Sequence, residues 1–79
     1  MNRKRRKKLN ELKSALEDIS AGVQELLDEE QEALDSMPEA FWESERHQKI
    51  EDSVGFLEEC VSNLDESQAN IEAAVEEER

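Results

Sequence analysis

From Ile50 to Val75 the apolar residues fall at Ile50, Val54, Leu57, Val61, Leu64, Ile71 and Val75, with Gln68 filling the one gap. The steps alternate between three and four, so the stretch is a heptad seam. Val54, Val61, Gln68 and Val75 hold its a positions, and Ile50, Leu57, Leu64 and Ile71 its d positions. The spacing predicts a helix from about Ser44 to Glu77. Such a seam needs a partner helix, and the first half of the chain offers one. Leu9, Leu12, Leu16, Ile19, Val23 and Leu26 repeat at the same steps. The stripe then shifts to Leu27, Leu34 and Met37, as a helix of 3.6 residues per turn does against a 3.5 repeat. This predicts a first helix over residues 3 to 36. Ala15 and Gly22 lie beside its stripe. Gly22 costs roughly 1 kcal/mol against Ala in a helix, which points to close packing or to simple tolerance.

The break between the helices is Asp35-Ser36-Met37-Pro38. Pro38 has no N–H to donate and disfavours helix at Met37. Ser36 and Glu39 fit a capping box, and Ser44 is a second N-cap candidate. The tip, residues 37 to 43, is short, so the helices become antiparallel neighbours. That pairing sets Leu34 near Ile50, Val23 near Val61 or Leu64, and Leu12 near Ile71. The fold class is therefore all-α: one antiparallel, coiled-coil-like helical hairpin spanning residues 1 to 79. Phe56, Cys60 and Ala74 widen the second stripe beyond a strict two-stranded seam. Two hairpins are thus expected to dimerise into a four-helix bundle. Its oligomer core would be Leu16, Ile19, Val23, Leu27, Val54, Leu57, Val61, Leu64 and Ile71. Gln68, polar at an a position, is a candidate for fixing the register.

Charge changes the picture. The chain has 79 residues, 41% of them charged, and a net charge of −12. Six cations crowd into Arg3, Lys4, Arg5, Arg6, Lys7 and Lys8, which leaves 4 of the 10 basic residues against all 22 acidic ones, a balance of −18 from residue 9 onward. A body so negative repels nucleic acid and anionic membrane and favours basic partners. The basic start is expected to neutralise Glu72, Glu76, Glu77 and Glu78. Phosphate contact or a localisation signal are its other readings. No apolar stretch follows it as in a signal peptide, and no run of 18 apolar residues occurs. Cys60 is the single cysteine, which fits a reducing, cytoplasmic compartment.

Enzyme signatures are missing. The run Asp28-Glu29-Glu30-Gln31-Glu32 lacks the sixth-position glycine of an EF-hand loop and reads as a solvated helix face. The only histidine, His47, has Ser44 three residues before it and Glu43 four before, so the Glu-x-x-His of a di-iron bundle fails. His47 reads as a surface residue in the first turn of the second helix. Cys60, without a nearby His, reads as a small buried hydrophobe. No cofactor and no metal are expected.

The stretch from Asp28 to Arg46, with Asp35, Pro38 and Glu39 at the turn followed by Ser44, Glu45 and Arg46, resembles the small acidic helical-hairpin proteins of bacteriophages and mobile elements. The resemblance implies an accessory protein acting by binding and blocking a host protein in the bacterial cytoplasm. The acidic helical faces carry the partner-binding candidates Glu25, Asp28, Glu29, Glu32, Glu58, Glu59, Asp65 and Glu66, which would imitate a row of phosphates for a basic host protein. Phe41 and Trp42 at the tip would add an apolar anchor, or else cap the open end of the seam. The alternatives are a purely structural assembly protein, an oligomer that sequesters a small molecule, and a nucleic-acid accessory working through residues 3 to 8.

Overall fold

Asn2 starts the first helix, because its side-chain oxygen accepts the Arg5 N–H at 2.8 Å. In the computed structural model, which describes residues 2–77, helix α1 spans Arg3–Asp35 and helix α2 spans Glu45–Glu77. A short 3-10 turn, Glu39–Phe41, lies between them. The two long helices pack along each other in a rod of 59 × 16 × 13 Å. At 1.5 Å per residue, 33 residues give an arm of about 50 Å, so the hairpin is as long as its helices allow.

The turn follows from three residues. Ser36 keeps helical angles, and its N–H reaches the Glu32 carbonyl at 2.9 Å, which closes α1. Pro38 is extended, at φ −59 and ψ 143, and ends the helical path. Ser44 then starts α2: its hydroxyl oxygen accepts the His47 N–H at 3.1 Å and donates to the Phe41 carbonyl at 2.6 Å. The capping box expected of Ser36 and Glu39 is not formed; Ser36 is still inside the helical path, so its side chain cannot start a new helix.

Helix α2 turns its heptad track from Ile50 to Val75 toward α1, and every residue of that track is buried or half-buried. The facing track on α1 differs from the expected one. It runs Leu9, Lys13, Leu16, Ser20, Val23, Leu27, Glu30 and Leu34, while Leu12, Ile19 and Leu26 stay 52%, 52% and 56% exposed. The reason is geometric. Near the tip, Leu27 and Leu34 face α2, and two helices that wind about each other keep one continuous 3.5-residue track inward. Traced back from Leu34, that track passes through Ser20 and Lys13. The placement of Leu12 near Ile71 is thereby corrected, since Lys13 takes the inward position and its Nζ lies 3.4 Å from Glu72. One heptad on, the Ser20 hydroxyl donates to Asp65 at 3.3 Å. Both pairs have residue numbers adding to 85, which sets the register of the hairpin.

The core is thin. Leu27, Val54 and Val75 are its buried apolar residues, and no side chain among the described residues is fully enclosed. Gly22 is not explained by packing within the hairpin, because a Cβ there would meet nothing within 4 Å.

Candidate protein-binding surfaces

In an antiparallel pair, residues that directly follow the d positions line one edge of the seam on both helices. On α1 these are Glu17, Gln24 and Gln31; on α2 they are Glu51, Glu58, Asp65 and Glu72. This edge is acidic. Residues that directly precede the a positions line the opposite edge. They are Leu12, Ile19, Leu26 and Ala33 on α1, and Ser53, Cys60, Ser67 and Ala74 on α2. That edge carries no charge between Arg5 and Arg46, the cations at its two ends. The hairpin therefore has an acidic side and a charge-free side, and its outward backs are acidic on both helices.

All eight acidic partner candidates are exposed. They do not form a single row. Asp28, Glu58 and Asp65 lie on the acidic side, Glu25, Glu32, Glu59 and Glu66 on the two backs, and Glu29 near the charge-free side. Two are held from within: Asp28 accepts from Gln24 at 2.9 Å, and Asp65 from Ser20. None of the eight is in an ion pair among the described residues, where Glu17 and Glu72 lie against Lys13 and Glu45 against Lys49. The surface thus offers carboxylates that no lysine or arginine of the hairpin neutralises.

At the tip, Phe41 and Trp42 are 55% and 52% exposed. The Trp42 indole N–H donates to the Met37 carbonyl at 2.9 Å, which fixes the ring across the turn. Its centroid lies 6.5 Å from the His47 ring. His47 is not the surface residue expected; it is half-buried at the tip end of the α2 track, with Nδ1 3.7 Å from Glu51. Both aromatic residues keep a free face at the end of the rod.

At the other end the six cations of Arg3 to Lys8 form no ion pair among the described residues, and Glu78 lies outside those residues. Glu72 pairs with Lys13 instead. Cations at a helix N-terminus oppose the helix dipole. Arg6 is half-buried, and its Nε is shielded from solvent without a hydrogen-bond partner.

No three His, Cys, Asp or Glu side chains converge to hold a metal ion among the described residues. No described helix is long and apolar enough to cross a membrane. Reading apolar positions alone missed the contrast between the two edges. Comparing the residues before each a position with those after each d position would have shown it. No protein-family model, curated protein or solved structure matches the chain.

Proposed function

We propose that the chain is a non-enzymatic protein-binding module, a phage-type accessory protein that blocks a basic-surfaced host protein in the bacterial cytoplasm. Two hairpins form a four-helix bundle, and the acidic sides and backs remain outside to meet the host protein. The carrying observation is the segregation of charge: Glu17, Glu51, Glu58, Asp65 and Glu72 line one edge of a 59 Å rod, and no carboxylate lies on the edge opposite. Carboxylates held on a helix lose less entropy on docking than those of a flexible tail, and they steer association with a basic cleft. Phe41 and Trp42 supply apolar contact at the tip. A structural role in assembly is the second reading, favoured by the exposed Leu12, Ile19, Leu26 and Phe56.

Affinity capture from bacterial lysate, followed by titration of the captured protein, tests the main reading. Binding should weaken at least about tenfold between roughly 50 and 300 mM NaCl, because the exposed charges are screened. Duplex DNA should compete. Replacing Glu58, Glu59, Asp65 and Glu66 by the matching amides should abolish inhibition, and replacing Arg3 to Lys8 by Ser should leave it intact. Salt-independent binding that leaves the partner's nucleic acid in place would sink the acidic docking mode.

A further inference from the structure

The charge-free side is wider than its edge residues. On α2 an uncharged stripe runs through Phe56, Cys60, Asn63, Ser67 and Asn70 to Ala74. Phe56 is 72% exposed within it. On α1 the matching stripe is Leu12, Ala15, Ile19, Gly22 and Leu26, all exposed. The α1 stripe lies about 100° around the helix from the buried track, since each position precedes a track residue by one. That is close to the angle between the two neighbours of a helix in a four-helix bundle. The stripes fall on the same side of the hairpin because the helices run antiparallel.

The exposed area agrees. The surface is 6148 Å² for a 9.1 kDa chain, whereas a globular monomer of that mass exposes about 4,900 Å². The excess, on the order of 1,200 Å², exceeds the roughly 800 Å² per partner of a standard interface.

The geometry points to a second copy of this chain as the occupant, stacked face to face about a two-fold axis parallel to the rod. This deepens the dimer contained in the proposed function and rests on that reading. Such an axis leaves heights unchanged, so α1 of one copy meets α2 of the other at the hairpin's own register, with residue numbers adding to 85. Gly22 then faces Asn63 of the second copy, and Ala15 faces Asn70. Leu26 lies beside Cys60 and Phe56 of the second copy, and Leu12 beside Asn70 and Ala74. Bulky aliphatic residues of α1 thus meet uncharged residues of α2, small ones apart from Phe56. The two small α1 residues, Ala15 and Gly22, let the backbones approach, which accounts for the open space at Gly22 in the single hairpin. Charge is complementary at one end of the stripe, because Lys8 comes level with Glu77 of the second copy, while at the other end Glu29 comes level with Phe56. A two-fold axis across the rod instead stacks α1 on α1 and α2 on α2.

Cysteine cross-linking decides it. Ala15→Cys and Asn70→Cys chains, each also Cys60→Ser, are mixed, annealed and mildly oxidised, and the full-length Cys60→Ser chain is run in sedimentation equilibrium. A dimer whose dominant link joins Cys at 15 to Cys at 70 of the other chain is expected. A dimer with mainly 15–15 or 70–70 links, or with no link, overturns the stacking and leaves dimerisation standing. A fully helical monomer at tens of micromolar overturns both. If the Ala15→Cys chain loses helicity, Gly22→Cys with Asn63→Cys reads the same contact at the next heptad.

Discussion

Leu26 and Leu27 differ by one step along α1 and by a wide margin in exposure, 56% against 8%. Leu27→Ala should destabilise the hairpin by about 2–4 kcal/mol, since it empties part of the small core. Leu26→Ala should cost less than about 1 kcal/mol in a hairpin without its partner, because half the side chain is already in water. Urea unfolding across a dilution series reads both. An equal loss for the two variants at every concentration would place the α1 track wrongly. Ser44→Ala should cost about 1 kcal/mol by removing the cap of α2. The same change at Ser36 should cost less, because no cap bond of its side chain is seen. Gly55→Ala should stabilise by up to about 1 kcal/mol: its φ is not positive and an added Cβ meets nothing. Gly22→Ala has the same local gain, but it fills space that the second copy approaches. A dimer that tightens in both variants would argue against a role for Gly22 at the interface.

At the scale of the element, α2 was legible from its apolar residues because one seam dominates it. Val54, Leu57, Val61 and Leu64 offer no competing stripe of aliphatic residues. Val54, 5% exposed near the tip end of that seam, gives the sharpest test. Val54→Asp places an unpaired charge there and should unfold the hairpin, seen as loss of helical circular dichroism. Retained helix would mean that the α2 track is not what holds the pair together. Helix α1 was harder to read because it carries two stripes sharing Leu9, Leu16 and Val23. Hydrophobicity favours Leu12, Ile19 and Leu26 over Lys13, Ser20 and Leu27. Continuity of the track from the turn selects the second set, and the partners Glu72 and Asp65 accommodate its polar members. Amino-acid type alone ranks stripes by apolarity and carries no information about which one the turn orients inward. The turn itself was legible at Pro38 and Ser44. The role of Ser36 was not, since a serine before a proline fits the end of one helix and the start of another equally well.

For the whole molecule, the balance of charge sets how stability responds to its surroundings. A net charge of −12 on so slender a rod is self-repulsive, and the acidic edge concentrates it. Ion pairs such as Lys13–Glu72 and Lys49–Glu45 are exposed and contribute at most about 1 kcal/mol each. Raising NaCl from about 10 to 500 mM should therefore raise the thermal midpoint, as screening relieves more repulsion than attraction. A falling midpoint would mean that cross-helix pairs dominate. The candidate partner residues were legible only as acidic positions in helices. Their division between an acidic side and two backs depends on the register of α1 against α2, which no local spacing encodes.

The claim on which the rest depends is that the single hairpin is half of a structure, with its charge-free side closed by a second copy and its carboxylates left outside. Sedimentation equilibrium of the native chain at tens of micromolar, with circular dichroism on the same samples, measures this most directly. The account predicts a fully helical species of about 18 kDa, twice the 9.1 kDa chain, and a shift toward single chains in Phe56→Glu without loss of helix from the hairpin at matched concentration. A native chain that sediments at 9.1 kDa with its helix intact would contradict it.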